Sequence, residues 1–75
     1  MTDLTIVDEI HNWPVHSRLK LARFRAGLTQ HQLAERALVT RGTVARIERG
    51  EHKPRLLTAR ALESVLGLDE GALRS

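Results

Sequence analysis

Seventy-five residues make one small domain, and a chain this short buries only a modest fraction of its surface. It has no cysteine, so a disulfide framework and a thiolate metal site are both excluded. The net charge of +3 is unevenly spread: residues 1–12 carry −3, residues 13–60 carry eleven Lys/Arg against three Glu for +8, and residues 61–75 carry −2. A basic centre between acidic ends points to a polyanionic partner.

Residues 1–13 form an N-terminal arm and residues 14–75 a helical domain. In the arm Leu4, Ile6, Val7 and Ile10 alternate only loosely, which leaves an extended strand, a short helix and disorder all open. Trp13-Pro14 marks the boundary, because proline suits a first helical turn and disfavours helix in the residue before it. The lone Trp13 is read as a hydrophobic plug. A first helix is expected from about Pro14 to Ala26, ended by Gly27, with Val15, Leu19, Ala22 and Ala26 as its core stripe. Leu21 and Phe24 lie beside that stripe.

Thr29 opens a second helix, and Gln32 three residues on completes a capping-box pattern. Leu33, Ala34 and Ala37 give that helix one apolar face. Leu38-Val39 leaves room only for a tight turn, and Thr40 can cap a third helix ended by Gly50. Within the third helix only Val44 and Ile47 recur at core spacing. Its remaining positions are Arg41, Gly42, Thr43, Ala45, Arg46, Glu48 and Arg49, a short helix whose exposed donors are shaped to be read by something else. After the polar loop Glu51-His52-Lys53 and Pro54, a fourth helix is expected from about Leu56 to Leu66. Leu56, Ala59, Leu62 and Leu66 form one stripe on it, and Ala61, Val65 and Leu68 a second. Asp69 can then cap a short fifth helix ending near Leu73.

The stretch from Val15 to Leu73 resembles the helix-turn-helix domains of the Cro/repressor (XRE-like) family of bacterial and phage regulators. Arg23, Gly27-Leu28-Thr29-Gln30, Leu33-Ala34, Val39, Val44, Ile47-Glu48, Gly50, Pro54, Leu62 and Leu66-Gly67 carry the match. The resemblance implies an all-α, compact five-helix lambda-repressor-like DNA-binding domain with helices 2 and 3 as the helix-turn-helix. It also implies an ion pair between Arg23 and Glu48 that ties the first helix to the motif. Three positions depart from the family pattern. Leu38 stands where a glycine is frequent, and leucine is disfavoured at positive φ, so a tighter or differently shaped turn is expected. Gly42 stands where a long base-reading side chain is frequent, and close approach of the helix backbone to the bases is one return for losing it. Glu63 replaces a small apolar residue.

On this reading the partner is a double-stranded DNA operator. Thr40, Arg41, Gly42, Thr43 and Arg46 are the candidate base readers. Arg41 and Arg46 can each fork onto guanine O6 and N7, while Thr40 and Thr43 meet phosphate or a thymine methyl. The competing reading of both arginines is nonspecific phosphate binding. Thr29, Gln30 and the amides around them should meet one phosphate run, and Arg49, Lys53 and Arg55 another, with Arg55 by resemblance reaching toward the minor groove. A homodimer on a palindromic site is expected through Ala61, Val65, Leu68 and Leu73, or alternatively through Ile6, Val7, Ile10 and Trp13.

Other chemistry finds no support. His11, His16, His31 and His52 lack metal-ligand spacing, and there is no Ser-His-acid set, phosphate-cradling glycine loop or paired carboxylate face. Neither an enzyme nor a cofactor or metal is expected. No apolar run reaches membrane length and the start lacks a leader pattern, so residence in the cytoplasm is expected. Two functions from different classes follow: a sequence-specific repressor of Cro-like or controller type, or a protein-interaction module (antitoxin or adaptor) of the same fold. The basic third helix favours the first, since an adaptor has no need of Arg41, Arg46 and Arg49 together.

Overall fold

A computed structural model of the protein describes residues 13–74, so all of the expected arm except Trp13 lies outside the described residues. Four helices and no strand are found among them: α1 (Val15–Arg25), α2 (Gln30–Ala37), α3 (Arg41–Glu48) and α4 (Leu56–Leu66). The expected fifth helix is instead a run of turns over residues 70–73. There the Ala72 N–H donates to the Asp69 carbonyl at 3.0 Å and the Arg74 N–H to the Gly71 carbonyl at 3.1 Å.

Local chemistry explains where the helices begin. The Thr29 hydroxyl accepts from the Gln32 N–H at 3.0 Å, and the Gln32 side chain accepts from the Thr29 N–H at 2.9 Å, the complete capping box. Thr40 caps α3 through the Thr43 N–H at 3.1 Å. All four helices end alike. A residue in the left-handed region is followed by an N–H that reaches back to a carbonyl five residues earlier: Leu28 to Arg23, Val39 to Ala34, Glu51 to Arg46 and Leu68 to Glu63, at 2.8–3.2 Å. Glycine occupies the left-handed position in three of these ends. In the fourth it is Leu38, at φ 61°, ψ 40°, so the turn keeps the shape a glycine would give and carries the strain instead. Leucine there costs about 1–2 kcal/mol, and with the side chain 91% exposed no burial offsets it.

Helix α2 packs against α3 and α4, and α1 packs against α3. Leu19, Leu33, Val44, Ile47, Leu62 and Leu73 are completely buried where these elements meet. Each such side chain contributes about 1.5–3 kcal/mol, an upper figure because the unfolded chain is already partly collapsed. Val39 and Leu66 pack against the same cluster from its edge.

Several expectations need correction. Ala26 is exposed, because α1 ends at Arg25 and Ala26 is its cap; the inward position near that end is Arg23. Trp13 keeps 44% of its surface exposed and packs outside the core cluster, so it does not plug the core. Ala45 is buried although it lies off the Val44–Ile47 spacing. Leu73, expected on a dimer surface, has no exposed area at all. The reason is Glu63, itself buried, whose carboxylate accepts from the Gly71 N–H at 3.1 Å and the Leu73 N–H at 2.9 Å. With Arg18 Nη1 donating to the Ala72 carbonyl at 2.7 Å, this folds the C-terminal turn inward and seats Leu73 in the core.

Candidate nucleic-acid interface

Helix α3 turns Val44, Ala45, Ile47 and Glu48 inward and leaves Arg41 and Arg46 exposed, with Gly42 and Thr43 half-exposed. Beside the apolar packing of Val44 and Ile47, one buried charge pair ties it to α1. Arg23 Nε donates to Glu48 Oε2 at 2.6 Å, Nη2 to Oε1 at 2.9 Å, and Nη1 to the Leu28 carbonyl at 2.8 Å. The hydrogen bond to Glu48 raises the Arg23 pKa above its ordinary value; desolvation opposes this and the Glu48 charge adds to it. The Phe24 ring covers the guanidinium, with its centroid 4.6 Å from Cζ.

From that pair a line of polar contacts runs outward. Gln30 Nε2 donates to Glu48 Oε1 at 3.1 Å, which turns the amide oxygen of Gln30 away from the core. That oxygen accepts from Arg41 Nη1 at 3.3 Å. The first residue of α2 thereby holds the first residue of α3, across the turn of the motif. At the same end the Thr40 and Thr43 hydroxyl oxygens lie 2.9 Å apart, hydrogen-bonded to each other.

Arg46 behaves differently. Its guanidinium lies back over Gly42, so that a Cβ built there would sit 3.3 Å from Arg46 Nη1. Behind it opens a cleft of about 310 Å³ lined by Thr43, Arg46, His52, Lys53, Arg55 and Thr58 among others. Two expected base readers and two expected phosphate ligands therefore share one polar, cationic concavity. Arg49 is set apart. It is paired with Glu51 at 2.6 Å on the surface, and each shifts the other: their hydrogen bond raises the Arg49 pKa and lowers that of Glu51.

A family model described as a helix-turn-helix matches residues 19–73, most of the chain and all of this geometry. The chain belongs to the XRE-type helix-turn-helix family. It is 41% identical over 59 residues to the immunity repressor protein of Bacillus phage phi105, covering 79% of this chain and 41% of that protein. It is 44% identical over 45 residues to an uncharacterised HTH-type transcriptional regulator of Methanothermobacter thermautotrophicus, covering 60% of this chain and 65% of that protein. The chain thus spans well under half of the phage repressor and just under two thirds of the regulator. No solved structure matches significantly.

Within this helix-turn-helix domain, sequence reasoning missed three residues at the face. His52 and Thr58 line the cleft, and Glu51 places a carboxylate beside Arg49. The Glu51–Arg49 proximity was legible, since the two are separated by one residue. Thr58 was not, because only the course of the loop before α4 brings that helix beside Arg46. Ala61, Val65 and Leu68 are half-buried and lean on the core, while Leu57, one turn before Ala61, is largely exposed. Among the described residues, no helix is long and apolar enough to cross a membrane.

Proposed function

We propose that the domain is a sequence-specific DNA-binding repressor that inserts α3 into the major groove and binds a palindromic operator as a homodimer. The observation that carries this is the pairing of roles on α3. Its inner end is locked by the Arg23–Glu48 pair, while Arg41 and Arg46 on its outer face belong to none of the ion pairs described. A rigidly held helix presenting two guanidinium forks suits guanine O6 and N7, each bidentate contact being worth about 1–3 kcal/mol of discrimination. Thr40 and Thr43 then meet a phosphate or a thymine methyl. Thr29 and Gln30 meet one phosphate run at the α2 N-terminus, and Lys53, Arg55 and Arg49 meet another.

The dimer is assigned to the α4 face of Leu57, Ala61, Val65 and Leu68, without Leu73. Two-fold pairing there sets the recognition helices about 34 Å apart, one turn of DNA. Repression by occupancy of promoter DNA, of the Cro-like or controller type, is supported by the 41% identity to a phage immunity repressor over this domain. Selection from a random DNA pool at two salt concentrations tests the proposal. The expected result is an enriched inverted repeat with G·C pairs at fixed half-site positions, bound by a dimer in sedimentation. Salt-sensitive binding with no enriched sequence would overturn it.

A further inference from the structure

Gly42 breaks a local rule with no conformational excuse. The chain has five glycines, and the other four all sit at positive φ, where a side chain is strained. Gly42 lies inside the helical span of α3 and is absent from that set, so its backbone is one any residue adopts. On helix propensity alone glycine is the poorest occupant short of proline. What its missing side chain provides is space.

That space is filled. Long side chains on a helix lean toward the N-terminus over the residue four before them. Arg46 does so here, with Nη1 3.3 Å and both Cζ and Nη2 3.8 Å from where a Cβ of residue 42 would stand. A methyl at that point is tighter than an ordinary contact, so the guanidinium must give by a few tenths of an ångström. Resting on the proposed DNA-binding role, we infer that Gly42 is a specificity-determining position that acts through Arg46. By leaving the i−4 site open it lets the Arg46 fork lie back along α3 toward the N-terminal turns, the part of a recognition helix that reaches base edges. Gly42 is therefore a positioning residue for Arg46, and any side chain at 42 re-aims that fork. Glycine and arginine at these two positions form one reading unit.

The test compares the base preferences of the full chain and its Gly42→Ala, Arg46→Ala and doubly substituted variants, each by selection from the same random pool, with melting temperatures measured alongside. Gly42→Ala should melt no lower, and at most about 4–8 °C higher, since alanine is the better helix former. It should nonetheless lose preference at the same base pair as Arg46→Ala, by less than the roughly 5- to 150-fold that a lost bidentate contact costs. The double variant should read that pair no worse than Arg46→Ala alone. Gly42→Ser supplies a different, polar-tipped side chain at the same site and should act like alanine. If both substitutions at 42 leave the preference at the Arg46-dependent pair unchanged, or if the losses add in the double variant, the inference is wrong while the DNA-binding proposal stands. If the unsubstituted chain selects no sequence, the proposed function itself fails and this inference falls with it.

Discussion

Glu48 and Glu63 are buried to the same degree, each 3% exposed, yet their oxygens find hydrogen-bond donors by opposite means. Glu48 faces a guanidinium donated from another helix, with both oxygens engaged by Arg23 and one shared with Gln30. Glu63 is held by backbone, its two oxygens accepting from the Gly71 and Leu73 N–H groups of the turn that follows its own helix. The first joins elements distant in sequence and sets the angle of α3. The second is close to home and seats the C-terminal turn on the core. A buried carboxylate therefore reports a fold-level constraint in one place and a local closure in the other, and only the identity of its donors tells which.

The largest effect should come from Glu48→Ala, which leaves the buried Arg23 guanidinium without its partner at a cost of about 3–5 kcal/mol. Chemical denaturation measures it, and a loss below about 1 kcal/mol, typical of an exposed pair, would show that the site is solvated. Replacing both partners with apolar residues, as in Arg23→Met with Glu48→Leu, should recover most of the stability, because no charge is then stranded.

Glu63→Ala should cost less, about 2–3 kcal/mol, since the freed N–H groups belong to a turn that can open to water. Hydrogen exchange at Gly71 and Leu73 should quicken in that variant while amides of α3 stay protected. If protection in α3 falls equally, the C-terminal closure is not local and the contrast with Glu48 fails. The end of α2 sharpens the same point without a carboxylate. Leu38→Gly should raise stability by about 1 kcal/mol, the left-handed strain being removed against a smaller loss of backbone entropy.

Glu51 is the solvent-exposed counterpart of the two buried carboxylates, and Glu51→Gln should leave the denaturation midpoint essentially unchanged. Its effect belongs to DNA binding: with Arg49 released, every sequence should bind more tightly and the salt slope should steepen by about one unit. The hydrogen bond from Arg49 holds the Glu51 pKa below its ordinary value. Any stabilisation from the pair is thus present above the unfolded pKa and lost only as pH falls through the lower folded one. The unsubstituted chain should gain DNA affinity only once pH drops below the usual carboxylate range, whereas Glu51→Gln should lack that gain. A change in which sequence is preferred would contradict the phosphate role of Arg49.

Sequence by itself determined four of the five expected helices, because their signals are local; the Asp69 signal gave turns instead. Thr29 with Gln32, Thr40, Gly50 and Gly67 act on backbone groups within a few residues, and each stands at the boundary it predicts. Charge and spacing likewise marked α3 as the outward-facing helix before any contact was known. The core, in contrast, was legible only where periodicity was clean: Ala26 was misassigned once α1 stopped a residue short, and Arg23 took the inner place. Tertiary structure alone decided the rest. Leu38 accepts a left-handed φ because the short connection between α2 and α3 leaves that geometry as the way to place both helices on one core. Leu73 turns inward because Glu63, ten residues earlier, draws its N–H toward the protein interior. Gln30 points its oxygen at Arg41 because Glu48, eighteen residues on, takes its amide hydrogens. The last two depend on a donor and an acceptor brought together by folding, and one-dimensional spacing records neither the meeting nor its direction.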